Sequence, residues 1–267
     1  ESGTAITSAV LEQGETLSVE VAAKYLLRDV YMDDGSVTYS VEGSIGTVTK
    51  DGLFTATGTP GTKGKLLVNA AGITSEIEIE IEKEFTDIIG HWAESYITEL
   101  YYAGTLQGSE KNGKLYYRPD ASMTRQEFIV AMMRYLGTDL SAYASVQLPF
   151  DDSGSIASWA KSAMQAAYQL GYLTGSKTNG KLLAKPGSTI SRQEAMTILS
   201  RTKDFADADL NVLSAFSDSG KIADWARTAL AQMTQQKIIS GSKGKLNPTG
   251  KVTRAEVAKM LYMLSES

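Results

Sequence analysis

The chain contains no cysteine, so disulfides, thiolate nucleophiles and thiolate metal sites are excluded. It has a single histidine, His91, which rules out His-rich metal centres and argues against a Ser–His catalytic triad. No apolar run approaches the length needed to span a bilayer, so membrane insertion is not expected. There is no long basic block and the net charge is −5, which argues against nucleic acid as a partner. No signal peptide is visible, but the chain opens mid-pattern at "ESGTAITSAV", as a mature or excised fragment would, so this says nothing about export. What remains is an ordinary globular composition, 42% apolar over 267 residues, a length that favours two or more domains.

Two periods divide the chain. Over residues 1–83, short alternating runs separated by turn residues read as strands: "ETLSVEV", "VTYSVEG", "GTVTKDGLFTATG" and "KGKLLVNAAG". Asp51-Gly52 is a hairpin turn between "GTVTK" and "LFTA". In "SEIEIEIE", Ile77, Ile79 and Ile81 lie on one face and Glu76, Glu78 and Glu80 on the other, the pattern of an antiparallel sheet with one wet face. The stretch "IGTVTKDGLFTATGTPGTKGKLLVNAAG" resembles bacterial immunoglobulin-like domains of group 2, which implies a β-sandwich serving as a spacer or adhesive module.

After "IEKEF" helical spacing takes over, and an internal repeat emerges. Trp92, Trp159 and Trp225 lie 67 and 66 residues apart, each in a "WA" that opens a helix. Each is preceded by an aromatic-x-Asp, ending in Asp87, Asp152 or Asp218. Sixteen residues after each tryptophan comes a Gly-Ser pair: Gly108-Ser109, Gly175-Ser176 and Gly241-Ser242. Pro119, Pro186 and Pro248 each stand six residues before an arginine in "TRQE", "SRQE" or "TRAE". Five features at matched spacing predict three helix–loop–helix repeats over 84–137, 150–203 and 216–267, packed around one core with pseudo-threefold symmetry and clefts between neighbours.

In each tetrapeptide a Ser or Thr followed three residues later by Glu is a capping box. Capping leaves Arg125, Arg192 and Arg254 unexplained, because a cation in the first turn opposes the helix dipole at a cost of up to about 1 kcal/mol. Three at one register suggest an anion held by arginine together with helix N-terminal amides. The competing reading is an ion pair with a box Glu or a neighbouring Asp. The aspartates read equally well as loop caps, the glycines as positive-φ residues and the tryptophans as partly core. Lys177 and Lys243, beside the turns, read as solvated, and so does the acidic cluster Asp204, Asp207 and Asp209, whose spacing is not that of a calcium loop.

The F-x-D, W-A, glycine-turn and T-R-A-E motifs over 85–267 resemble the S-layer homology domain. The resemblance implies an all-α, three-repeat pseudo-trimer, 84–267 acting as one unit. It also implies a non-catalytic anchor that binds an anionic secondary cell-wall polysaccharide, one carrying pyruvylated N-acetylmannosamine, in grooves between repeats. The ligand residues it implies are Arg125, Arg192 and Arg254, with Trp92, Trp159 and Trp225. Beside them stand Asp87, Asp152 and Asp218, the turn glycines Gly108, Gly175 and Gly241, and the serines Ser109, Ser176 and Ser242. It implies no cofactor and no metal, an extracellular location on the bacterial wall, and neighbours in an S-layer lattice as further partners. Departures from the family pattern are Gln126 and Gln193, placed on early helix surface where little is at stake. Lys237 replaces the glycine found as Gly104 and Gly171, and the third Gly-to-Pro loop is four residues shorter. Two other functions fit the sequence: a lattice-forming structural protein, and the anchoring tail of a larger exported glycan-active enzyme. A glycosidase within the chain fits poorly, since its carboxylates recur in three equivalent places rather than one asymmetric site.

Overall fold

The computed structural model describes residues 6–25, 28–31, 37–70, 72–82 and 84–266. The chain forms two compact units, Glu1–Glu84 and Phe85–Ser267.

The first unit holds strands β1 (Ser8–Leu11), β2 (Thr16–Ser18), β3 (Ala22–Tyr25), β4 (Arg28–Tyr31), β5 (Val37–Glu42), β6 (Gly46–Val48), β7 (Leu53–Ala56), β8 (Lys63–Ala70) and β9 (Ile73–Ile81). Alternation decides their faces: Ile77, Ile79 and Ile81 enter the core while Glu76 and Glu78 face water. On the wet face Lys63 and Lys65 of β8 pair with Glu80 and Glu76 of β9. The turn at Asp51-Gly52 joins β6 to β7, with Gly52 at φ +81°. The expected immunoglobulin-like sandwich is not what these strands form. They divide into small sheets of four (β1-β9-β8-β5), three (β2-β7-β6) and two (β3-β4) strands, and β1 joins β9 in parallel. Alternation fixes which side of a strand is buried but not which neighbour it takes or in which direction.

The second unit holds α1 (Glu94–Tyr102), β10 (Ser109–Lys111), β11 (Lys114–Tyr116), α2 (Arg125–Tyr135), α3 (Lys161–Gln169), β12 (Ser176–Thr178), β13 (Lys181–Leu183), α4 (Arg192–Leu199), α5 (Arg227–Gln235) and α6 (Arg254–Ser265). The all-α expectation is therefore corrected: the loops of repeats one and two are β-hairpins, β10–β11 and β12–β13. Their tips are Asn112-Gly113 and Asn179-Gly180, all four residues at positive φ, as a two-residue hairpin turn requires. Repeat three lacks four loop residues, two from each side of the hairpin. Losing an even number per strand keeps the same faces in register. A single bridge, Ser242 to Lys245, survives beneath a Lys243-Gly244 tip that is again at positive φ.

The main helix pairings run between repeats rather than within them. The W-A helix of each repeat lies on the box helix of the previous one: α3 on α2, α5 on α4, and α1 on α6, which closes the ring. Alanines make the close approach possible: Ala163, Ala166 and Ala167 on α3, and Ala229 and Ala231 on α5, are buried. The linkers are pinned from the same helices. Gln165 Nε2 donates to the carbonyls of Ala144 and Val146, and Gln232 Nε2 to that of Ala206. At the centre three backbone segments form a closed triangle. Met123 N donates to Val252 O (3.1 Å), Val252 N to Ile190 O (3.2 Å) and Ile190 N to Met123 O (2.9 Å). The pseudo-threefold axis runs through this triangle, whose three side chains are buried. One apolar core spans all three repeats.

Candidate functional site

The box helices begin where two repeats meet. Thr124 caps α2: its amide donates to Glu127 (2.7 Å) and its hydroxyl accepts from the Glu127 amide. The next two amides donate across to repeat two, Arg125 N to Ser188 O and Gln126 N to Pro186 O. The arrangement recurs from Arg192 and Gln193 to Gly250 and Pro248, and from Arg254 and Ala255 to Ala121 and Pro119. The leading amides of these helices are thus occupied by the neighbouring repeat. An anion held jointly by arginine and helix amides, as the sequence suggested, has no free amides here to use.

The arginines point past these junctions into the next repeat. Arg125 donates Nε–H to Ala184 O (2.9 Å) and pairs with Glu194 (3.0 Å). Arg192 pairs with Glu256 (2.9 Å), and its buried Nε–H has no partner among the described residues. Both belong to ion pairs with the box Glu of the following repeat, the competing reading from sequence, but neither guanidinium is used up. Their Nη2 groups make no hydrogen bond to the described protein. Burial lowers the pKa of both arginines, with Glu194 and Glu256 respectively offsetting part of the loss. Arginine stays charged throughout. Burial raises the Glu194 pKa, but the Ser191 hydroxyl and amide and the Arg125 charge outweigh it and hold the carboxyl below its usual range.

Arg254 behaves differently. It donates to the carbonyls of Tyr117 and Gln107, both at 2.7 Å, and stacks over the Tyr117 ring at 4.4 Å. Tyr117 is fully buried and returns its hydroxyl to Arg254 O; burial raises its pKa to about 12, with the Arg254 charge opposing the rise. At the equivalent position, marked by the same aspartate clamp, stand Ala184 and Leu246, which offer no ring.

The aspartates shape the loops. Asp87 accepts from the amides of Tyr117 and Arg118, Asp152 from those of Ala184 and Lys185, and Asp218 from those of Leu246 and Asn247, all at 2.7–2.9 Å. Burial raises the Asp218 pKa, but those two amides outweigh it and the net shift is downward. Arg118, Lys185 and Asn247 stand at φ +59°, +52° and +53° immediately before a proline, a position that favours extended backbone. Each carboxylate grips the amide of the residue held in that costly conformation. The turn glycines are packing residues too: a Cβ on Gly108, Gly175 or Gly241 would fall 2.3–2.8 Å from the Phe85, Phe150 or Phe216 ring.

Gln126 and Gln193, read from sequence as inconsequential, hold the next repeat: their Oε1 atoms accept from Ala157 N and Ala223 N. Ala255 cannot do this, and the equivalent amide, Gly90 N, is taken by Glu94 of its own helix instead.

The tryptophans are not core residues. Trp92, Trp159 and Trp225 are 55%, 58% and 57% exposed. Two of them wall open grooves assembled from all three repeats. One groove, about 370 Å³, joins Arg125 of repeat one, Gly175, Ser176 and Glu194 of repeat two, and Trp225 of repeat three. The other, about 630 Å³, joins Arg192 of repeat two, Gly241, Ser242 and Glu256 of repeat three, and Trp92 of repeat one. By the same symmetry Arg254, Gly108, Ser109 and Trp159 would line a third. Among the described residues no cluster of acidic or histidine side chains is arranged to hold a metal ion.

A family model described as the S-layer homology domain matches residues 84–129, 149–196 and 215–258. The chain is 29% identical over 208 residues to an amylopullulanase of Thermoanaerobacterium thermosulfurigenes, covering 76% of this chain and 10% of that protein. It is equally identical over 186 residues to exoglucanase XynX of Acetivibrio thermocellus, 68% of this chain and 16% of that protein. Over 201 residues it is 29% identical to the surface-layer 125 kDa protein of Lysinibacillus sphaericus, 71% of this chain and 16% of that protein. The chain therefore spans less than a fifth of the length of these relatives.

Proposed function

This chain belongs to the S-layer homology family, and on that premise we propose that the Trp225 and Trp92 grooves bind a carboxylate-bearing cell-wall saccharide. Domains of this family are non-catalytic anchors to the cell wall, and the chain is an extracellular, wall-attached module of the cell surface. The saccharide reading rests on one observation: an exposed tryptophan from one repeat faces an arginine from a second and a glycine-serine turn from a third, twice over. The indole supplies a flat apolar wall for a sugar ring and an N–H donor. The arginine, oriented by its glutamate, presents its unused Nη2 edge to an incoming carboxylate such as a pyruvate ketal on N-acetylmannosamine. Serine hydroxyls at the turn, exposed in every repeat, add donors for ring hydroxyls. The aspartates and glycines act at one remove, by fixing the loop that carries those groups.

The test is retention on purified wall sacculi. Intact polymer should hold the chain, and polymer stripped of ketal-linked pyruvate should release it; equal retention on both would overturn the carboxylate reading. The relatives favour one elaboration. Two of them carry enzyme names and are far longer than this chain, which suits an anchoring segment of a larger exported glycan-active protein.

A further inference from the structure

The two open grooves differ in charge. Around the Trp225 groove Arg125 and Arg201 face Glu194, an excess of one positive charge. Arg201 is moreover spent on the turn, donating to Tyr172 O and to Thr174 Oγ1. Around the Trp92 groove Arg192, Lys243, Lys245 and Lys259 face Glu256 alone, an excess of three. None of these lysines makes an ion pair with the described protein, and Lys259 Nζ stands 6.0 Å from the Trp92 ring. At the place of Lys259 the other groove has Thr197. The short third loop is what delivers the remaining cations. With two residues gone from each side of the hairpin, its Lys243-Gly244 tip and Lys245 come down to line the groove, where the longer β12–β13 hairpin contributes only Gly175 and Ser176. Arg192, whose buried Nε–H finds no partner among the described residues, lines the same groove.

We propose that the Trp92 groove takes a saccharide unit carrying two negative groups, the first a carboxylate and the second a phosphate or another carboxylate. This rests on the saccharide reading above and refines it: one carboxylate matches the Trp225 groove, and leaves the Trp92 groove two charges short of neutral. The excess positive potential of these solvent-accessible lysines favours a dianion over a monoanion, since a second anion brings them a partner.

The test uses the full chain carrying Trp159→Ala and Trp225→Ala, two exposed positions, so that Trp92 alone reports binding by fluorescence. Three probes are titrated: the methyl glycoside of 4,6-pyruvylated N-acetylmannosamine, the same glycoside with a 3-phosphate, and the same glycoside with a 3-carboxymethyl group. At low salt the doubly charged probes should bind about tenfold more tightly than the first. A preference between them identifies phosphate or carboxylate as the second group. Lys243→Gln, Lys245→Gln and Lys259→Gln together should erase roughly that tenfold advantage and leave the first probe within about twofold. Equal affinity for all three probes, or an equal loss for all in the lysine variant, overturns the proposal while the saccharide reading stands. Failure of every probe to bind overturns both.

Discussion

Arg192 and Arg254 occupy the same position of the same motif, yet they do different work. Arg192 makes one ion pair, keeps its Nε buried and leaves Nη2 at an open groove beside an exposed tryptophan. Arg254 is bound to two carbonyls and lies on a buried tyrosine ring. The difference does not lie in the box, "SRQE" against "TRAE", but in the residue each arginine meets one repeat further on: Leu246 for Arg192, Tyr117 for Arg254. A repeated motif therefore sets where a side chain starts, and the neighbouring repeat decides whether it closes a joint or opens onto a groove.

The largest effect that would sharpen this comparison comes from Tyr117→Ala, which installs in repeat one the residue found at Ala184. Truncating a fully buried aromatic should cost about 3–5 kcal/mol, read as a lowered midpoint in urea; a loss below about 1 kcal/mol would mean that Tyr117 does not lock the joint.

Next come the glutamines. Gln126→Ala and Gln193→Ala should each cost about 1 kcal/mol, because each leaves an amide of the following repeat without its acceptor. Ala255→Gln should gain little, since Gly90 N already has Glu94. Chemical denaturation of the three variants checks the contrast.

A smaller effect depends on pH. Because the folded pKa of Glu194 is depressed, its contribution is fully present above the usual glutamate range and is lost as pH falls through the lower folded value. Glu194→Gln should therefore flatten the acid limb of stability by less than about 1 kcal/mol, since the pair is partly exposed. An unchanged acid limb would show that Ser191 and Arg125 together do not hold the carboxylate.

Smallest is Lys237→Gly. Lys237 sits at φ +58°, where Gly104 and Gly171 stand in the other repeats. Relief of that left-handed conformation, less the greater freedom of unfolded glycine, should raise stability by about 0.5–1 kcal/mol. A drop in melting temperature would count against it.

Much of this was legible in the sequence. The capping boxes, the three repeats and the half-wet strand β9 follow from spacing alone. The β-hairpins were legible too, in the dipeptides Asn112-Gly113 and Asn179-Gly180, a turn signal obscured by the helical pattern on either side. The immunoglobulin-like sandwich was misread because alternation is silent about strand partners. The closed helix N-termini could not be seen at all: their acceptors, such as Ser188 and Pro186 for α2, lie in the next repeat, far along the chain, and are identified only by how the repeats pack. The exposure of the tryptophans was hidden for a related reason. An aromatic just before an amphipathic helix reads as partly core until packing shows which face the neighbouring box helix takes.

The most direct test compares Arg192→Ala with Arg254→Ala, measuring melting temperature and affinity for purified wall polymer on each. Arg254→Ala should lose about 2–3 kcal/mol of stability, with the two carbonyls left unpaired, and keep the polymer affinity of each folded molecule. Arg192→Ala should lose about 2–5 kcal/mol of binding at its groove and under about 1 kcal/mol of stability. The reverse pattern, with Arg254→Ala abolishing binding at an unchanged melting temperature and Arg192→Ala merely unfolding the chain, would contradict the division between joint and groove.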